Sequence, residues 1–174
     1  EESNSIWWNA IQGVFQEMGI AKRNFSIHIK PNIPAAMGLG GSAATAVAII
    51  RSVSKHFNLM LTDDEVNHYA FLCEKAAHGT PSGIDNTIAT FGLPLVYQAS
   101  EESKMAMIDF PKPLNLVIGI SGQPSLTLDM VSGVRERWEK NTKLYESMFT
   151  NFAQIAESGL EALKNGDYKG LGHI

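Results

Sequence analysis

The chain has 174 residues, 44% of them hydrophobic and 18% charged, with a formal net charge of −4 and one cysteine. That composition suits one globular domain, or one and a half, with enough apolar material for a core, and it excludes intrinsic disorder and fibrous repeats. Lys and Arg number 14 against 18 Asp and Glu, with no basic block and no apolar run of membrane-spanning length, so neither a nucleic-acid partner nor a membrane is expected. Cys73 cannot form an internal disulfide by itself, which fits a reduced, cytoplasmic setting. The opening residues EESNSIWWNAIQ have neither the basic nor the apolar region of a signal peptide, and the chain reads as starting inside a helix.

Ile6, Trp7, Ala10, Ile11, Phe15 and Met18 trace the stripe of an amphipathic helix ending at Gly19. Phe25 to Ile29 alternates apolar and polar as a half-buried strand does, with His28 on the polar, solvent-facing side. After the glycine-rich PAAMGLGGSAA, the spacing of Ala43, Ala46, Ile50, Val53 and Phe57 predicts a helix from Ser42 to about Asn58, with Ser42 at the N-cap or in the first turn. Thr62 and Glu65 have capping-box spacing, and Val66, Tyr69, Ala70, Cys73 and Ala77 continue as a helix stopped at Gly79.

HGTPSGIDN reads as turn chemistry, followed by short β-type runs at Leu93–Tyr97 and Leu116–Ile120. From Thr127 onward, Val131, Val134, Trp138, Tyr145, Met148, Phe152 and Ile155 keep helical spacing, interrupted at Asn141. These aromatic positions read as core, and the stretch from Gly159 to Gly166 as a break before a second short helix.

Two features carry chemistry. In the loop before the second helix, Gly38, Gly40 and Gly41 let backbone approach a ligand and aim N–H groups, with the helix dipole, at an anion. No Lys follows as in a Walker A loop, and the spacing is not GxGxxG. A tight turn with close helix packing is the alternative at even weight. The second feature is Glu74 with Asp85. A carboxylate in the last turn of a helix opposes the dipole, and Mg²⁺ held between Ser42 and Glu74 would compensate it. Asp85 would then accept the proton of an attacking alcohol. The plain alternatives are a solvated Glu74 paired with Lys75 and an Asx-turn Asp85.

PAAMGLGGSAA followed by CEKAAHGTPSGIDN resembles the second motif and substrate loop of the GHMP kinases, and the form Glu-x-x-x-His-Gly-x-Pro-Ser-Gly-Ile-Asp-Asn is close to that of the mevalonate kinases among them. The resemblance runs from about Asn24 to Gly133. It implies an α+β, two-domain fold: residues 1–112 as an ATP-binding N-terminal domain with a left-handed βαβ unit, incomplete at its start, and residues 113–174 as the beginning of a ferredoxin-like C-terminal domain. It further implies ATP- and Mg²⁺-dependent phosphorylation of a small alcohol, foremost mevalonate to 5-phosphomevalonate in isoprenoid precursor synthesis. Met37, Gly38, Leu39, Gly40, Gly41, Ser42 and Ala43 would surround the ATP phosphates, Ser42 and Glu74 would hold Mg²⁺, and Asp85 and Thr127 would stand at the reacting hydroxyl. His78, Ser82 and Asp85 would face the substrate, although for His78 a helix C-cap role competes.

Gly41 replaces the family's usual Ser, and Met37 stands where a small residue is usual. The family's first motif, with its Lys, and its glycine-rich third motif have no counterpart, so the chain reads as a middle portion of such a kinase. A phosphomevalonate or sugar kinase, or a non-catalytic nucleotide-binding domain of the same fold, is the alternative. A homodimer is compatible with the resemblance, but nothing in the residues fixes the oligomeric state.

Overall fold

The computed structural model describes residues 6–21, 23–34, 37–98, 104–120, 122 and 127–174. Two compact units divide the chain, Glu1–Met107 and Ile108–Ile174. The first contains helices α1 (Ile6–Glu17), α2 (Gly41–His56), α3 (Asp63–His78) and α4 (Ile84–Phe91), then an antiparallel hairpin of β1 (Leu95–Gln98) and β2 (Lys104–Met107). In the hairpin Leu95 faces Met107 and Gln98 faces Lys104.

The apolar stripes read from the sequence meet in one core. Ile11, Val14 and Phe15 of α1, Ala46, Ile50 and Val53 of α2, and Val66, Ala70 and Cys73 of α3 are all buried there. Alanines at 43 and 46, both fully buried, keep the early turns of α2 slim enough to pack on α3 and α4. The helix starting at Asp63 is fixed by its expected capping box: Glu65 N–H donates to Thr62 Oγ1 at 3.2 Å, and Thr62 N–H donates to the Glu65 carboxylate at 2.7 Å.

Residues 25–29 form no regular element and belong to no ladder among the described residues. The alternation names the right faces as far as His28, while Ile29, on the apolar face by its spacing, is exposed. Phe25 and Ile27 pack against the core, with the Phe25 ring edge-on to Phe15 and Phe57 at centroid distances of 5.4 and 5.3 Å, while His28 is exposed. Residues 116–120 likewise have no ladder partner among the described residues, with Val117 fully exposed. Among the described residues no βαβ crossover is therefore closed, and the sheet present is the β1–β2 hairpin. Alternation reports how side chains divide between faces. A ladder also needs a neighbouring strand, which no local pattern encodes.

HGTPSGIDN is only partly a turn, because α4 begins within it at Ile84. The Gly and Pro at its start mask the helical character of the residues that follow. In the second unit, α5 (Thr127–Lys140) ends at the expected Asn141, and α6 (Thr142–Asn165) runs straight through Gly159. A glycine inside a helix costs only about 1 kcal/mol relative to Ala, too little to break a long helix. The break falls at Gly166, followed by the short α7 (Tyr168–Leu171), where Asp167 Oδ1 accepts from Gly170 N–H at 2.8 Å.

The aromatic stripe of α5 and α6 is not core. Phe152 is 57% exposed, Ile155 and Met148 are also exposed, and Ala162 is the single buried apolar side chain among the described residues of this unit. Among the described residues of this unit α6 packs on α5 and α7, and these short faces leave much of so wide a stripe uncovered. No helix among the described residues is long and apolar enough to cross a membrane.

Candidate functional site

The start of α2 is built around Gly40, which serves as its N-cap at φ 64°, ψ 24° with no side-chain cap. Only glycine takes that left-handed conformation without steric cost. A Cβ there would also lie 4.0 Å from Cγ of Asp85. The loop thus brings its backbone close beside α4. Gly40 has no side chain with which to cap α2, so the leading N–H groups of the helix have no acceptor within the helix, and the dipole there favours negative charge.

Ser42 lies in the first turn of α2, and its Oγ donates to Glu74 Oε1 on α3 at 2.6 Å. Glu74 is 4% exposed, so of the two readings open to it the solvated surface carboxylate is the one that the structure does not bear out. Its neighbour Cys73 is fully buried, and burial, reinforced by the Glu74 charge, pushes the thiol up to about 12. Cys73 is accordingly a protonated thiol at neutral pH, packed as a core side chain.

Asp85 lies exposed in the first turn of α4, just after Gly83. Gly83 is buried at φ 81°, and a Cβ there would come within 3.3 Å of Met105 Cε and 3.6 Å of the Phe71 ring. Glycine at this position lets α4 start tight against α3 and β2, and this sets where Asp85 emerges. Ser82 Oγ accepts from Ile84 N–H at 3.3 Å, which makes it a brace for the same turn.

No cluster of three His, Cys, Asp or Glu side chains suited to a metal occurs among the described residues. Zinc-type coordination has no basis in them. A Ser–Glu oxygen pair instead suits Mg²⁺, which keeps several waters and takes one or two protein oxygens alongside substrate phosphates. Adjacent ligands of an octahedral ion with bonds of about 2.1 Å stand roughly 3 Å apart, so the 2.6 Å Ser42–Glu74 pair fits with an opening of roughly 0.4 Å.

Within the glycine loop Met37 is half-buried and Leu39 is 37% exposed, whereas Ala43 is fully buried and packs in the core side of α2. The side chains of His78, at the end of α3, and of Thr127, at the start of α5, lie outside the described residues.

Sequence reasoning missed a polar brace between α3 and α4. Asn86 Nδ2 donates to Asn67 Oδ1 at 2.6 Å, Asn67 Nδ2 donates to Thr87 Oγ1 at 3.4 Å, and Thr87 Oγ1 donates to the Gly83 carbonyl at 2.6 Å. A signal was present in the spacing of Asn67 and Glu74. Seven positions apart on α3, they share one face of the helix.

A sequence model of the family described as GHMP kinases N terminal domain matches residues 5–92. A mevalonate kinase of Pyrococcus abyssi is 31% identical over 155 residues, covering 89% of this chain and 45% of that protein. A mevalonate kinase of Thermococcus sibiricus is 30% identical over 142 residues, covering 82% and 41% respectively. The chain therefore spans less than half the length of these curated relatives. Among solved structures, the crystal structure of L. major mevalonate kinase in complex with R-mevalonate superposes with a TM-score of 0.74 at 27% identity, over 98% of this chain and 53% of that one.

Proposed function

Because the chain belongs to the GHMP kinase family, we propose that the whole protein transfers the γ-phosphoryl group of ATP, with Mg²⁺, to the primary hydroxyl of mevalonate. The observation that carries this reading is the Ser42–Glu74 contact at an uncapped helix start with Asp85 beside it. The naming of the relatives supports the acceptor.

In this reading residues 1–112 form the nucleotide-binding domain. Backbone N–H groups of residues 38–43 receive the ATP phosphates, and Ser42 Oγ with the Glu74 carboxylate holds the cation. When bound, Mg²⁺ neutralises charge on the β- and γ-phosphates. Asp85 accepts the proton of the alcohol as the acceptor oxygen bonds to the γ-phosphorus. The bond from that phosphorus to the bridging oxygen breaks, and its electron pair leaves with ADP. Thr127 is assigned to the reacting hydroxyl, and His78 and Ser82 to the substrate loop, with Ser82 acting through the turn it braces. Such phosphoryl transfer passes through a loose transition state, so the protein contributes mainly position and charge.

The test is acceptor-dependent ADP release by the purified full-length protein with Mg-ATP and, in turn, R-mevalonate, phosphomevalonate and a hexose. Release dependent on R-mevalonate is expected. Release with another alcohol alone replaces the acceptor and keeps the kinase. Mg-ATP binding with no acceptor-dependent release overturns the enzymatic reading in favour of a nucleotide-binding module.

A further inference from the structure

Asp85 is exposed on a short helix of eight residues, and short isolated helices are not stable by themselves. Its position must therefore come from what anchors the adjacent residues. Asn86, next in sequence, is 2% exposed and turns into the α3–α4 interface. Its Nδ2 donates to Asn67 Oδ1 at 2.6 Å and lies 3.4 Å from the Asn67 carbonyl oxygen. A backbone carbonyl can only accept, which fixes the orientation of the Asn86 amide. Its own Oδ1 is buried without a hydrogen-bond partner. An amide in that state lowers stability where an aliphatic side chain would not. Unlike apolar packing, however, its bonds are directional and hold one register between the helices.

We propose that Asn86 is a positioning residue for Asp85. Clamped to Asn67, it fixes the first turn of α4 on the same helix that presents Glu74, so that metal ligand and proton acceptor share one rigid frame. The clamp is closed through Thr87, which accepts from Asn67 Nδ2 at 3.4 Å and donates to the Gly83 carbonyl at 2.6 Å. The turn carrying Asp85 is thus tied at both of its ends, at Gly83 and at residues 86 and 87. This inference rests on the role assigned to Asp85 under the proposed function.

The experiment is a double-mutant cycle in the full-length protein, combining Asn86→Ala with Asp85→Asn and reading kcat, the KM values for Mg-ATP and mevalonate, and the thermal midpoint. Misplacing a catalytic group by about 1 Å costs up to roughly 100-fold, so Asn86→Ala should lower kcat by about 10- to 100-fold while the KM for Mg-ATP stays within about twofold. In the Asp85→Asn background the same substitution should lower kcat by less than about twofold, because there is no carboxylate left to position. Asn67→Ala cuts the same bond from α3 and must reproduce the pattern, and it replaces Asn86→Ala should that variant not fold. Asn67→Asp keeps the acceptor oxygen and should recover most of the activity. Equal losses of kcat in both backgrounds would overturn the proposal and leave Asp85 catalytic. Full turnover by Asp85→Asn alone would overturn the role of Asp85 itself, and the positioning role with it.

Discussion

The two units carry similar amphipathic helices and treat them differently. In Glu1–Met107 the stripes of α1, α2 and α3 close on one another around Ile11, Ile50 and Val66, whereas in Ile108–Ile174 an equally regular stripe leaves Phe149, Phe152 and Ile155 exposed. Periodicity shows which face of a helix is apolar. Burial depends on whether enough other faces are present to cover it, and α3 meets α1, α2 and α4 while α6 meets α5 and α7. The same contrast governs chemistry. A site that must hold oxygens within tenths of an ångström needs supporting elements that cannot move independently, and Ser42, Glu74 and Asp85 all sit on helices of the packed unit.

The sharpest way to break this contrast is at Asp85. Asp85→Asn in the full-length protein should lower kcat by about 10²- to 10⁴-fold, the range for losing a positioned proton acceptor, with Mg-ATP affinity and thermal midpoint nearly unchanged because the side chain is exposed and the amide nearly isosteric. Steady-state kinetics beside calorimetric Mg-ATP titration decides it. Near-normal turnover would reduce Asp85 to an ordinary first-turn residue.

Next in size is a paired stability measurement across the two units. Ile50 is fully buried, and Ile50→Ala should cost about 2 to 5 kcal/mol, as large-to-small core substitutions do. Phe152 is 57% exposed, and Phe152→Ala should change stability by less than about 0.5 kcal/mol, as surface substitutions do. Chemical denaturation of both variants supplies the comparison. A large loss at Phe152 would mean that in the full protein the stripe of α6 is covered and the contrast between the units disappears.

Smaller again is Glu74→Gln. The amide still accepts from Ser42 Oγ, so the helices should stay together, but the charged ligand is gone. The Mg²⁺ concentration for half-maximal activity should rise about tenfold or more, equivalent to at least ~1.4 kcal/mol, with kcat at saturating Mg²⁺ much less affected. An unchanged Mg²⁺ response would assign the Ser42–Glu74 bond to helix packing alone.

How far the sequence shows this arrangement depends on the local strength of each pattern. The approach of Ser42 to Glu74 was legible through the resemblance of PAAMGLGGSAA and CEKAAHGTPSGIDN to one family's motifs, whereas helix spacing by itself left Glu74 equally open to solvent. The 2.6 Å bond follows from α2 and α3 lying side by side. The start of α4 was not legible, because Gly79, Pro81, Ser82 and Gly83 are turn formers and the helix after them is too short for a period to emerge. The Asn67–Asn86 brace was hidden for another reason. A polar residue within a helix is usually solvated, and only the packing of α4 turns these two amides inward. At residues 25–29 and 116–120 the alternation and apolarity were visible, but no local pattern states whether a strand will find a partner.

The smallest expected effect lies at the far end of α3 from Glu74. Removing the cap with Thr62→Ala deletes the acceptor for Glu65 N–H and should cost about 1 kcal/mol, with kcat unchanged. The box also has a pH signature. The Thr62 backbone N–H, and after it the Thr62 hydroxyl, holds the Glu65 carboxyl below its ordinary value of 4.5. A folded-state value below the unfolded one means that the stabilisation is fully present above about pH 4.5 and is lost as pH falls through the folded value. Glu65→Gln is blind to pH in this window, so the stability gap between the native protein and this variant should be widest near pH 6 and shrink toward pH 3, as read from denaturation midpoints at each pH. A gap constant across that range would show that the carboxylate is not engaged by Thr62 in solution. The start of α3 would then be held by its packing in the core, and the tight first unit would owe its order to burial alone.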